Sequence, residues 1–171
     1  MPPTNGECTE SFIEVYPPQI MDTWYVMMHT DSLTVAPMPD CLIVKFGRRM
    51  SFNSEIRIDI IYMKEDASEV SLPFLRGEVT VPGGEPFGVK MSLSPVFPKN
   101  IMISDFDEDN KCLAFWSCAD LGSSTIQKGA WLMCQSPDLD QEVIVNMAEK
   151  IANASDIELS DFIWTEYETC L

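Results

Sequence analysis

The chain is short of positive charge. Eleven lysines and arginines stand against 27 aspartates and glutamates, a formal net charge of −16. The acids occur in every segment, which describes a solvated acidic surface and not an acidic tail. Such a field repels phosphate backbones and anionic lipid surfaces, so nucleic acid is not expected as a partner. Histidine is almost absent: His29 stands alone, too few for the common zinc patterns. No Cys-x-x-Cys pair and no glycine-rich phosphate loop occurs, so neither a metal nor a catalytic cofactor is expected. No stretch approaches the roughly 18 apolar residues that a membrane-spanning helix needs, and membrane insertion is not expected. The longest apolar runs, such as Trp24-Tyr25-Val26-Met27-Met28, have the length of a strand. The opening Met1-Pro2-Pro3-Thr4-Asn5-Gly6 lacks the basic start and apolar core of a secretory signal, so the chain is expected to be a mature form.

What is present is an even spread of apolar residues, 46% of the chain, between clusters of glycine, proline, asparagine and aspartate. No linker, repeat or low-complexity block divides it, and residues 1–171 suit one domain with a sizeable core. Ile56-Arg57-Ile58-Asp59-Ile60-Ile61-Tyr62 has apolar even positions and mainly polar odd ones, the pattern of a strand buried on one face. Further strands are expected over 41–46, 89–93, 100–106, 112–118 and 126–135. Asp107-Glu108-Asp109-Asn110, Asp120-Leu121-Gly122-Ser123-Ser124 and Pro82-Gly83-Gly84-Glu85-Pro86 carry turn chemistry. Val143, Met147 and Ile151, widened by Ile144 and Ala148, make the apolar stripe of one helix, with Asp138 or Asp140 as its cap. Phe162 to Tyr167 reads as a last strand. Many short strands at regular spacing imply an all-β sandwich or barrel. Six cysteines scattered from end to end favour long-range disulfides and an oxidising compartment, and Asn153-Ala154-Ser155 is a glycosylation sequon.

Several short motifs then fall in order on this strand pattern. Asp22-Thr23-Trp24-Tyr25 opens the first strand, and Ser104-Asp105-Phe106 precedes a hairpin. Leu113-Ala114-Phe115-Trp116-Ser117-Cys118 follows, then Ala130-Trp131-Leu132-Met133-Cys134-Gln135, with Arg76-Gly77-Glu78-Val79 and Gly84-Glu85-Pro86 between. From about Cys8 to Cys170 the chain resembles the lipocalins, best the apolipoprotein D, bilin-binding protein and crustacyanin branch. It departs from the family pattern twice: Asp22 replaces the glycine of the first motif, and Gln135 stands where an arginine ends the last strand. The resemblance implies an eight-stranded antiparallel up-and-down β-barrel with one C-terminal α-helix and a final short strand. It also implies secretion, and two bridges, Cys8 with Cys118 and Cys41 with Cys170. Cys112 and Cys134 are left. A hairpin turning about Leu121 to Ser124 sets them opposite or nearly opposite each other, as a third bridge or as two buried thiols beneath the helix. The bridge is preferred.

The resemblance further implies a carrier that holds a small hydrophobic ligand in the barrel. Alternation sends Phe46, with Leu42 and Val44, inward, and likewise Ile56, Ile58, Ile60 and Tyr62, joined by Val89, Met91 and Leu93. The family pattern sends Trp131 inward, with Met133 and Gln135, and the facing strand then contributes Leu113 and Phe115. The expected ligand contacts are Phe46, Ile58, Ile60, Tyr62, Met91, Leu93, Phe115 and Trp131, with Lys64 and His29 as candidates for a polar end at the mouth. Trp24 plugs the bottom as a structural residue. Each of the others serves equally well as core filling. The apolar set favours a pigment, a carotenoid before a bilin, because a bilin's propionates call for bases. The alternatives are a general lipid, retinoid or fatty-acid carrier, or a protein- or amine-binding lipocalin of the immune or antihaemostatic kind. Leu33, Val35, Pro37, Met38 and Pro39 form an apolar loop that suits a lid, a docking patch, or a contact in a homo- or hetero-oligomer. An isomerase of the prostaglandin-synthase kind needs a free, inward cysteine, and no inward position is one.

Overall fold

The alternating segments pair into one sheet. A computed structural model describes residues 4–8, 13, 15, 17–30, 41–48, 55–63, 69–71, 77–80, 91–94, 97–155 and 157–165. In chain order its elements are β1 (Thr4–Asn5), α1 (Pro17–Ile20), β2 (Thr23–His29), β3 (Leu42–Arg48), β4 (Glu55–Met63), β5 (Glu69–Ser71), β6 (Gly77–Thr80), β7 (Met91–Ser94), β8 (Phe97–Asp107), β9 (Cys112–Gly122), β10 (Thr125–Cys134), α2 (Gln141–Ser155), a 3-10 turn (Leu159–Asp161) and β11 (Ile163–Trp164). The main ladder runs β5-β4-β3-β2-β10-β9-β8-β7, with β1 on β10, β11 on β2 and β6 on β4. All of these pairings are antiparallel. Of the expected last strand, Ile163 and Trp164 pair with His29 and Met28, and residues 166 and 167 lie outside the described residues.

The sheet curls strongly. Phe46 on β3 and Phe115 on β9 stand three strands apart in the ladder, about 14 Å in a flat sheet. Their ring centroids are nevertheless 5.8 Å apart, edge to face. Trp24 on β2 and Phe106 on β8, also three strands apart, meet at 6.4 Å. Only a sheet rolled around these rings allows both contacts. Its two ends, β6 and β7, come within 8 Å of each other, Cα to Cα. Among the described residues no hydrogen-bonded ladder joins them.

The convex side is covered by α2. Ile144, Met147, Ala148 and Ile151 are buried there against Ala114, Trp116, Leu132 and the Cys112–Cys134 bridge. Asp140 caps the helix: its Oδ1 accepts the Glu142 N–H at 3.0 Å. Asn153 of the sequon is exposed in the last turn. Two irregularities decide which side chains face inward. In β2 the register slips against Leu132 and Met133, so Met27 becomes an extra residue and joins Met28 in the outer cluster. In β8 it slips between Ile103 and Asp105. Ser104 is the bulge, held by its hydroxyl donating to the Ala114 carbonyl at 3.3 Å. Strict alternation would send Asp105 inward with Ile103. The bulge instead turns Asp105 toward α2, where its Oδ2 lies 3.5 Å from the Lys150 ammonium, and brings Phe106 in against Trp24.

Cys8 is bridged to Cys118 and Cys112 to Cys134, the latter pair directly opposite in register. Cys41 is also in a disulfide. Cys170, the partner that the family resemblance assigns to it, lies outside the described residues.

Both hairpin turns supply a test. In the β9–β10 hairpin the two loop residues Ser123 and Ser124 have φ of 54° and 57°, the left-handed pair of a type I′ turn. Serine fits that region poorly, at about 1–2 kcal/mol per residue. Ser123→Asn with Ser124→Gly is expected to raise stability by about 1 kcal/mol, or about 2–4 °C in Tm; an unchanged or lower Tm by calorimetry counts against the turn assignment. In the β8–β9 hairpin the Asn110 side-chain amide donates to Asp107 Oδ2 at 2.8 Å and the Asn110 backbone N–H to Oδ1 at 3.0 Å. These bonds, the side-chain one foremost, hold the Asp107 carboxyl below its ordinary 3.8. A lowered carboxyl contributes stability that is present above the unfolded-state pKa and lost as pH falls through the folded one. Asn110→Ala is expected to move the Asp107 titration, followed by carboxyl NMR, back toward the ordinary value.

Candidate functional site

The concave wall is built from successive rungs of β2, β10, β9 and β8. One rung places His29, Trp131, Phe115 and Ile103 side by side in register. All four are buried. The next rung toward the start of β2 holds Val26, Met133, Leu113 and Phe106. These alternate with Tyr25, Met28, Ala114, Trp116, Leu132 and Cys134, which face the helix. Phe46 reaches the same wall from β3 through its contact with Phe115. The surface is aromatic and aliphatic, with a few polar groups set into it.

Trp24 lies toward the opposite end from His29 and is fully buried. Its indole N–H donates to the Ile20 carbonyl of α1 at 2.9 Å, and Phe106 meets its ring. No cation is needed to hold it, which accounts for the tolerance of Gln135 where the family pattern has arginine. Gln135 instead ties the strand end, its backbone N–H donating to the Lys111 carbonyl at 3.0 Å. Asp22 tolerates the glycine position for a conformational reason: it is not among the residues with positive φ. Its carboxylate accepts the Thr23 N–H at 2.8 Å, and its carbonyl accepts the Phe46 N–H at 3.0 Å.

The expected ligand contacts separate into three groups. Phe46, Phe115, Trp131 and His29 come together on the concave wall. His29 is buried at the end of β2, with Nδ1 3.4 Å from the Thr30 carbonyl. Ile58, Ile60 and Tyr62 occupy the β4 positions opposite Phe46, Val44 and Leu42. Met91 stands opposite Ile101, and Leu93 lies within β7. Lys64, Val89 and the loop residues Leu33, Val35, Pro37, Met38 and Pro39 lie outside the described residues.

One residue absent from that set belongs with it. Ser117 is two residues beyond Phe115 on an unbroken register, hence on the concave face, and is fully buried. The signal was legible: alternation that sends Leu113 and Phe115 inward sends Ser117 inward as well. Thr30 is also buried, but its hydroxyl is engaged, accepting the Ala130 N–H at 3.0 Å. Among the described residues no group of three histidine, cysteine or acidic side chains is arranged to hold a metal ion. No helix among them is long and apolar enough to cross a membrane.

No protein-family model matches the sequence, and no curated protein matches it either. Solved structures do match. Lobster apocrustacyanin A1 is similar at a TM-score of 0.64 and 16% identity, over 90% of this chain and 83% of that one. Insecticyanin from the tobacco hornworm Manduca sexta gives 0.63 at 13% identity, over 98% of this chain and 91% of that one. The cockroach allergen Per a 4 gives 0.58 at 16% identity, covering 95% and 96%. The curled sheet, its inward aromatic rungs, the helix on its convex side and these likenesses together give the chain the lipocalin fold.

Proposed function

We propose that the chain is an extracellular carrier that holds one small hydrophobic ligand against the concave wall, within a barrel closed between β6 and β7 and spanning residues 1–171 as one domain. The observation that carries this reading is the run of inward rungs centred on Phe115, Trp131, Leu113 and Met133, joined across the sheet by Phe46. Apolar surface of this kind takes a ligand through burial, at about 25 cal/mol per Å² removed from water. The ligand we favour is a pigment, a carotenoid before a bilin, since the described wall holds no lysine or arginine to meet propionates. Ile58, Ile60, Tyr62, Met91 and Leu93 complete the lining in this proposal, with Lys64 and His29 toward the mouth. Retinoid, steroid or fatty-acid carriage shares the same physics. Disulfides on the described cysteines suit an oxidising, secreted setting.

No catalytic role is proposed. Cys112 and Cys134 are bridged to each other on the helix-facing side, so neither supplies the inward thiolate that a lipocalin isomerase requires. Assembly with a second chain has support of its own: Leu159, Ile163 and Trp164 are large apolar side chains left exposed near the end of the chain.

Purification from the native source, a visible absorption spectrum and mass spectrometry of an organic extract test the proposal. A visible band with a released carotenoid or bilin supports it and names the ligand. A colourless protein that releases a lipid removes the pigment and keeps the carrier. A preparation that carries nothing and takes up no apolar probe removes both.

A further inference from the structure

Two polar groups on the concave wall are buried without partners. The Trp131 Nε1–H and the Ser117 hydroxyl each have under 1 Å² of accessible surface and no hydrogen bond. Buried donors in folded proteins are nearly always satisfied, and a lone exception calls for an explanation. Here two occur together. Trp131 pairs with Phe115, and Ser117 pairs with Gly129, on consecutive rungs of the same face. That makes Trp131 and Ser117 diagonal neighbours, about 7–8 Å apart along the backbone and within the reach of an indole. Gly129 brings no side chain to the position opposite Ser117. His29 follows on the far side of Trp131.

We infer that Trp131 and Ser117 form a two-point polar anchor for an oxygen of the bound ligand. This rests on the carrier reading above and narrows its ligand class. Indole nitrogen only donates, so the ligand must present an acceptor; a carbonyl oxygen has two lone pairs and can take both the N–H and the O–H. A pure hydrocarbon would leave both donors buried and unpaired. A carboxylate would satisfy them, but it enters against the field of a chain with net charge −16. The ligand is therefore a neutral, mostly apolar molecule carrying a ketone or a similar oxygen.

The test uses two carotenoids with one carbon skeleton, canthaxanthin, which carries ring ketones, and β-carotene, which does not. Each is titrated from detergent into the full-length protein and followed by visible absorbance. Wild type is expected to bind canthaxanthin about tenfold more tightly. Trp131→Phe and Ser117→Ala are each expected to lower canthaxanthin affinity about five- to tenfold more than β-carotene affinity, so that most of the preference disappears. Equal affinity of wild type for the two pigments, or an equal loss for both in either variant, overturns the anchor and leaves the carrier reading standing. Binding of neither pigment overturns the carotenoid reading and the anchor with it. A second measurement needs no ligand. Ser117→Ala, which removes an unpaired buried hydroxyl, is expected to hold or raise the Tm of the empty protein, whereas a hydroxyl with a structural bond would lower it by several degrees.

Discussion

Replacing Trp24 by alanine is expected to cost about 3–5 kcal/mol of folding stability, a large part of the roughly 5–15 kcal/mol available to a domain of this kind. Trp24 is fully buried at one end of the sheet, hydrogen-bonded to the Ile20 carbonyl and ringed by Phe106. Its loss therefore removes the transfer energy of an indole and opens a void that α1, only Pro17–Ile20, is too short to fill. Trp24→Phe separates the two contributions. It keeps most of the ring and deletes the N–H; the Ile20 carbonyl still accepts the Asp22 N–H at 2.8 Å, so the lost bond is expected to cost about 0.5–1.5 kcal/mol. Urea unfolding of both variants checks this. A cost below 1 kcal/mol for the alanine variant would show that the end of the sheet collapses onto the gap and that Trp24 is not its plug.

The second large effect concerns the disulfides, and it is a difference. The Cys8–Cys118 bridge spans 110 residues and the Cys112–Cys134 bridge spans 22. In the chain-entropy model their removal costs about 5 and about 3 kcal/mol. The long bridge also ties β1 and its flanking chain, which otherwise hold by the short ladder to β10 and the Gly6 N–H donating to the Ser124 carbonyl at 2.8 Å. The short bridge joins strands already paired over ten positions, Thr125 to Cys134. Cys8→Ala with Cys118→Ala is thus expected to lower the unfolding midpoint more than Cys112→Ala with Cys134→Ala. The reverse order would mean that the short bridge, packed beneath α2 with Met147 and Ile151, acts mainly through the folded core.

Much of this was legible from the chain alone, where a local rule suffices. The β4 alternation, the Val143-Met147-Ile151 stripe and the turns at Asp107 and Gly122 each obey a short-range period or a residue's own backbone preference. The Cys112–Cys134 juxtaposition also follows from counting out from one turn. β5 and β6 were not legible, because three- and four-residue strands carry too few alternations to stand out. The burial of His29 was not legible for a related reason. Its burial depends on Trp131 and Ile163, residues that are more than a hundred positions away and bring strands to both of its edges.

The amino-acid order by itself determined the strand and helix periods, the acidic composition, and the shared face of Leu113 with Phe115 and of Trp131 with Met133, since each depends on a side chain and its near neighbours. Tertiary structure alone decided three things. The bulge at Ser104 exchanges Asp105 for Phe106 on the concave face. The curl brings Phe46 to Phe115 across three strands. The pairing of β9 with β10 sets two buried donors, at Ser117 and Trp131, side by side with nothing in the protein to receive them. A bulge is one residue of mismatch between two distant strands, and curl is the sum of many small twists. Neither leaves a local mark, because both belong to the relation between strands and not to any one of them.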